Sequence, residues 1–218
     1  MPSTRTGRSS RGPQGTLYGR GATAGAIDLI TKRPTEEVEG YARATVGDYS
    51  QFDLEAAIGG GLGEGVAGRI AFKREQRDGY GENLFTGNDV DDRDAWAVRG
   101  GLLFTPSEEW SVYLTAEHFE EDDNNYAFHY FGTSVTPEDF LAHNLLGGRT
   151  IFDVKGPGTD LGDLRDIYSD DDAVNDRKGS SATAVVDWDC GCGWSLKSIS
   201  SWHDFDRFNR DDLDVSNV

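Results

Sequence analysis

The sequence predicts an all-β fold built on a run of antiparallel strands. Three observations carry this. Seven segments after Pro34 alternate apolar and polar residues, and a period of two puts each set on one side of a sheet. The connections between them alternate between short and long, apart from the first, "GDYSQ", which is short at the long-loop end. The composition agrees: 28 Gly and 11% aromatics accompany only 36% hydrophobic residues. A disordered chain of this charge is poor in aromatics, whereas strands and turns use both.

The elements follow in order. "MPSTRTGRSS", residues 1–10, has charge and small residues but neither the apolar centre of a secretory signal nor an apolar strand. "RGPQGTLYGRGATAGAIDLITKRP" runs from Arg11 to Pro34. Its glycines, Gly12, Gly15, Gly19, Gly21 and Gly25, allow tight turns where space is short. Ala26–Ile30 reads as a short strand, and Pro34 ends it because proline cannot donate to a ladder.

A weak alternation over Gly40–Val46 opens the long series. Phe52, Leu54, Ala56 and Ile58 then alternate with Asp53, Glu55 and Ala57. Gly68, Ile70 and Phe72 oppose Arg69, Ala71, Lys73 and Glu75. Trp96, Val98, Leu102 and Phe104 share a face opposite Arg99. Trp110, Val112, Leu114 and Ala116 oppose Ser111, Tyr113, Thr115 and Glu117. Ala182, Ala184, Val186 and Trp188 oppose Ser181, Thr183 and Asp187, and a second weak pattern covers Trp194–Phe208.

Two architectures share this pattern. In a soluble sandwich the apolar face is the core; in a membrane barrel it meets lipid. Tight links ("GGGLGEGVAG", "PSEE", "CGCG") alternate with long ones, and one exceeds fifty residues. Short turns at one end and long loops at the other is the layout of outer-membrane barrels. Trp110, Trp188 and Trp194 fall at the short-turn end and Trp96 at the other, an arrangement similar to the two aromatic girdles of such barrels.

Within the opening stretch, Arg11-Gly12-Pro13, Leu17-Tyr18-Gly19, Ala24-Gly25-Ala26-Ile27 and Thr31-Lys32-Arg33-Pro34 resemble the C-terminal part of the plug domain in TonB-dependent outer-membrane receptors. The resemblance implies a plug that precedes and fills a barrel of the 22-strand type. On it, residues 1–10 lie outside the family pattern, 11–35 end the plug, and 36–218 begin the barrel. Gly12, Pro13, Tyr18, Gly19 and Gly25 are then plug-motif residues. The family's plugs are held to the wall by Arg–Glu contacts, so Arg11 is the implied plug–barrel contact, because a buried guanidinium must be paired.

The resemblance also implies an outer-membrane receptor for TonB-energised uptake of a scarce nutrient. A ferric siderophore comes first, with cobalamin, saccharides or other nutrients behind it. TonB would be contacted through a region outside this chain, and lipid would surround the barrel. Against the 22-strand pattern the chain is expected to be a fragment, about fifteen strands short, and to begin with a strand running outward. The long loops near Gly81–Arg93 and Asp123–Asp176 would then lie outside and Cys190 and Cys192 in the periplasm. The alternatives are a soluble, secreted acidic β-domain with a binding or structural role, or a non-functional receptor remnant.

Other signals exclude more than they suggest. A net charge of −18 argues against nucleic acid, which needs a basic face. No segment approaches the roughly 20 apolar residues of a membrane helix. "GEGVAG", Gly63–Gly68, matches a dinucleotide fingerprint, but a strand rather than a helix follows it. Two cysteines alone do not make a zinc site. A bridge from Cys190 to Cys192 closes so small a ring that two free cysteines are expected. His118, His129, His143 and His203 lack metalloprotease spacing, so no enzyme, cofactor or metal is expected. The acidic runs "DVDDR", "EEDDNN" and "SDDDAVND" read either as solvated loops or as a mouth that meets ferric chelates. "TPEDFLAHNLLGG" reads as a short helix with Thr136 as N-cap, Pro137 first and Gly147 as the stop.

Overall fold

The computed structural model describes residues 4–13, 15–18, 24–124, 165–167 and 169–210. It is almost entirely strand. β1 (Thr4–Arg11), one helical turn α1 (Gly15–Tyr18) and β2 (Gly25–Thr31) come first. They are followed by β3 (Glu39–Val46), β4 (Phe52–Gly63), β5 (Val66–Arg77), β6 (Gly81–Asn83), β7 (Asn88–Val90), β8 (Arg93–Ser107), β9 (Trp110–Asp123), β10 (Val174–Asp189) and β11 (Ser195–Arg210). No described helix is long and apolar enough to cross a membrane.

Seven strands form one antiparallel sheet in the order β11-β10-β9-β8-β5-β4-β3. These are the seven segments that alternate in sequence. Among the described residues β3 and β11 remain edges, so the sheet is not closed. β1 and β2 pair separately, antiparallel, with Arg11 opposite Gly25. A Cβ on Gly25 would lie 2.5 Å from the Ser10 carbonyl oxygen, so only glycine lets the two backbones approach this closely.

Register fixes the faces. Ile58 pairs with Ile70, Leu102 with Leu114, and Trp110 with Trp188, so the large apolar residues share one side. That side is uncovered: Ile58 is 59% exposed, Ile70 53% and Leu114 46%. On the opposite, inward face small residues are buried, Ala57, Ala67, Ala71 and Ala95, together with Tyr113 and Arg69. This inverts a soluble sandwich, whose large apolar residues would be the buried ones.

Three elements depart from the sequence reading. β1 carries no apolar pattern; a strand forms there because β2 offers a backbone ladder that is continuous from Thr6 to Arg11. The long connection after β5 contains its own hairpin, β6–β7. Cys190 and Cys192, expected to be free, form a disulfide. Gly191 (φ 64°) and Gly193 (φ 89°) adopt left-handed conformations, and the turn they allow sets the two Cα atoms 5.2 Å apart, within normal bridging range. The helix expected at Thr136–Gly147 lies outside the described residues.

Candidate functional site

Two sites form on the inward face, one where the β1–β2 hairpin meets the sheet and one at the long-loop end. At the first, the segment Thr31–Pro34 leaves β2 and runs against β8 and β9. Arg99 of β8 donates from Nη1 to Glu117 Oε2 at 2.9 Å and from Nη2 to Thr31 Oγ1 at 3.0 Å. The Arg33 guanidinium lies 5.0 Å from the centroid of the Tyr113 ring, a cation–π distance. Pro34 is buried, and its Cγ sits 3.7 Å from where a Gly101 Cβ would be. A Cβ there would meet the Tyr113 hydroxyl at 3.3 Å, so glycine on β8 leaves room for the tyrosine ring between the strand and the proline segment.

The same junction continues at the start of β3. Lys32 pairs with Glu39, and Arg69 reaches Glu39 at 3.3 Å. The Gly61 N–H donates to the Glu36 carbonyl at 2.9 Å. The hairpin end is thus held by Thr31, Lys32, Arg33 and Pro34, from the last of the four motif groups.

The other motif residues sit further along the hairpin. Arg11 is exposed at the end of β1 and has no ion pair among the described residues. Gly12 has φ 88° and donates its N–H to the Ala24 carbonyl at 3.1 Å. Pro13 is exposed, Tyr18 closes α1, and Gly19 lies outside the described residues. Sequence reasoning missed Arg99 and Tyr113 as partners. Arg99 was visible as a charge opposite the apolar face of β8, but Thr31 lies 68 residues away and no local pattern joins them.

At the long-loop end the inward face carries a charge network. Arg93 bonds Glu121 and Asp123 at 2.7 Å each and Glu75 at 3.4 Å. Arg177 pairs with Glu121. Asp123 is 1% exposed and accepts the Asp94 N–H at 2.8 Å. Burial pushes its carboxyl up to about 6, and neighbouring Glu121 pushes the same way against Arg93 and the Asp94 N–H.

A second set of bonds ties the loops of this end to one another. Asn83 of β6 is fully buried. Its Nδ2 donates to Asp172 Oδ1 at 2.9 Å, and its Oδ1 accepts the N–H groups of Phe85 and Ser169. Thr86 and Asn88 also donate to Asp172, and these bonds hold that carboxyl below its ordinary value despite burial. Among the described residues no cluster has the ligands to hold a metal ion.

No family model matches the chain. The pesticin receptor of Yersinia pestis is 34% identical over 80 residues, 36% of this chain and 12% of that receptor. The vitamin B12 transporter BtuB of Vibrio cholerae is 29% identical over 122 residues, 53% of this chain and 20% of the transporter. The ferric yersiniabactin uptake receptor FyuA from Yersinia pestis superposes with a TM-score of 0.74 at 23% identity, covering 96% of this chain and 29% of that one. The ferric-catecholate import receptor Fiu from E. coli K12, in its open form, gives 0.72 at 19%, covering 94% and 29%. These relatives are receptors and transporters, not enzymes, and the chain spans less than a third of each. In local sequence and in fold, the chain is similar to TonB-dependent outer-membrane receptors.

Proposed function

We propose that the chain is the plug end (11–35) and first barrel strands (36–218) of an outer-membrane receptor that imports a scarce nutrient with energy delivered through TonB. The observation that carries this is the spacing of the aromatic residues on the exposed apolar face. Trp110 and Trp188 pair at the short-turn end. Trp96 pairs with Glu120, ten residues further along β9. Ten residues span about 34 Å of strand, or about 26 Å of height at a tilt of about 40°. The apolar band of an outer-membrane barrel is about 25 Å tall. Residues 1–10 stand apart from the plug proper in this division, although β1 extends into them.

A ferric siderophore is the favoured cargo. Receptors of similar structure take up ferric yersiniabactin, ferric catecholates or bind ferripyoverdine. The vitamin B12 transporter among the sequence relatives keeps cobalamin as the second candidate. The wall of glutamates and arginines around Arg93 belongs to the mouth. Arg11 remains the proposed plug–barrel contact, and the carboxylates it would meet lie outside the described residues.

The test is iron-limited growth of the source cells with the full-length gene deleted or restored. Restored uptake of a radiolabelled ferric siderophore, abolished by dissipating the inner-membrane proton gradient, is the expected result. Uptake that survives loss of the gradient would overturn the energised-receptor reading.

A further inference from the structure

The turn between β10 and β11 carries a disulfide across a single glycine, Cys190 to Cys192. The bridge is not what closes the turn. Asp189 pairs with Ser195, and the Cys190 N–H donates to the Trp194 carbonyl at 3.1 Å. The Gly191 N–H donates to Asp189 Oδ1 at 3.0 Å. The Asp189 N–H reaches the Glu109 carbonyl at 2.9 Å and ties the turn to its neighbour. The other short turns of the sheet, Gly63–Val66 and Ser107–Trp110, close by backbone pairing and contain no cysteine. A bridge over so short a loop also removes little freedom from the unfolded chain, because that gain grows with loop length.

The two sulfurs are not equivalent. Cys192 is exposed and Cys190 is half-buried. A Cβ built on Gly191 or Gly193 meets no heavy atom within 4 Å, so the flanks of the bridge are open to an incoming group. The Cys192 N–H donates to Cys190 Sγ at 3.2 Å. A hydrogen bond to sulfur favours its anionic form, and the sulfur with the better stabilised thiolate is the better leaving group. An attacking thiolate therefore finds Cys192 Sγ accessible and Cys190 Sγ ready to leave. Exposed bridges of this kind are the labile ones, unlike buried structural disulfides. The surroundings are acidic: Glu108, Glu109 and Asp189 are exposed in the two adjoining turns, while Lys197 is tied to Asp187 at 2.8 Å. Such a field repels an anionic thiol and attracts a cationic one.

We propose that the Cys190–Cys192 bridge is a thiol–disulfide exchange site that oxidises a dithiol carried on a basic surface. A thiolate of the dithiol attacks Cys192 Sγ. The bond between the two cysteine sulfurs breaks, and its electron pair leaves on Cys190. The dithiol's second thiolate then attacks its own sulfur in the mixed disulfide, and Cys192 leaves with the electron pair. The turn has gained two electrons, and the two protons of the dithiol end on Cys190 and Cys192. The partner has become a disulfide. Only the compartment rests on the receptor reading above. That reading places the turn in the periplasm, where an oxidising environment keeps the resting bridge closed.

The experiment uses the purified full-length receptor in detergent, with the bridge oxidised, and two monothiol probes that stop at the first step. Cysteamine is cationic and mercaptoethanesulfonate is anionic, and they are compared at equal thiolate concentration. After an acid quench, N-ethylmaleimide caps the freed thiols and mass spectrometry of the peptides locates probe and cap. Cysteamine on Cys192 with the cap on Cys190 should exceed the reverse about tenfold. At low ionic strength cysteamine should react about threefold faster than the sulfonate, and the ratio should fall towards one in about 1 M salt. Equal attachment to both sulfurs, a preference for Cys190, no adduct at all, or equal rates at low ionic strength would overturn the site. Each of these outcomes concerns the turn alone and leaves the receptor reading standing, which fails separately on the uptake measurement.

Discussion

Arg99 of the sheet donates to Thr31 of the inner hairpin at 3.0 Å while its second nitrogen holds Glu117 at 2.9 Å. The charge pair therefore lies wholly within the sheet, and the hairpin contributes only a hydroxyl. Separating the hairpin from the sheet at this point breaks one hydrogen bond and leaves no charge without its partner. That is the inverse of an arrangement with the arginine on the plug and the carboxylate on the wall, where opening costs several kcal/mol.

The two halves of this contact should respond differently to substitution. Thr31→Val removes one hydrogen bond and should cost about 1 kcal/mol of unfolding free energy in the full-length receptor. Glu117→Gln leaves the part-buried Arg99 without its carboxylate and should cost about 1.5–3 kcal/mol. Denaturant titration in detergent reads both. Equal costs, or a larger one for Thr31→Val, would show that the hairpin depends on this bond more than the geometry implies.

Arg11 is the matching test on the hairpin side. If it meets wall carboxylates in the full-length receptor, Arg11→Ala should let bulky antibiotics leak through cells that still insert the barrel. Minimum inhibitory concentrations of vancomycin measure this directly. Unchanged permeability would make Arg11 a surface residue at the end of β1, where it stands exposed opposite Gly25.

The two ends of the sheet should differ in access. A single cysteine at Thr86, exposed in the β6–β7 hairpin, should react with an impermeant maleimide on intact cells of a variant lacking Cys190 and Cys192. In the native protein the Cys190–Cys192 disulfide should give no labelling on intact cells even after a reductant is added. In lysed cells, labelling should appear only after reduction. Labelling without reduction would mean the bridge does not form, and the reverse sidedness would invert the sheet in the membrane.

Asp123 gives the rim a pH dependence of known sign. Its carboxyl titrates near 6 in the folded protein against 3.8 as its ordinary value. A raised acid favours the folded state while it is protonated there and ionised in the unfolded chain. Its stabilising contribution is fully present below about pH 4 and is lost as the pH rises through about 6. The position lies three residues beyond the Trp96–Glu120 pair, outside the apolar band. The melting temperature of the wild type relative to Asp123→Asn should therefore fall between pH 4 and pH 6 and then level off. A difference that is flat over this window would place the carboxyl at an ordinary value.

The seven long strands were legible because their side chains obey the two-residue period on both faces, as at Leu114 against Thr115 and Val98 against Arg99. β1 was not, because "TRTGRSSR" forms by backbone pairing with β2 and needs no apolar face. The β6–β7 hairpin is three residues on each side and is held by Asn83 and Asp172, 89 positions apart, a distance no local pattern reports. The disulfide was missed because ring size was weighed without the two left-handed glycines that make it possible. The candidate site divided in the same way: its residue types were visible, as with Arg99, while its pairings depended on the register between strands far apart in sequence.

On the receptor reading the exposed apolar face meets lipid while the opposite face does not. Nitroxide labels placed one at a time from Ser111 to Thr115 along β9, in the full-length receptor reconstituted into bilayers, test it directly. Oxygen partitions into lipid and a nickel chelate stays in water, so their relative collision rates report what surrounds each label. A period of two is expected, with high oxygen access at positions 112 and 114 and low oxygen access at 111, 113 and 115. Equal access along the strand, or preferential nickel access at 112 and 114, would contradict it.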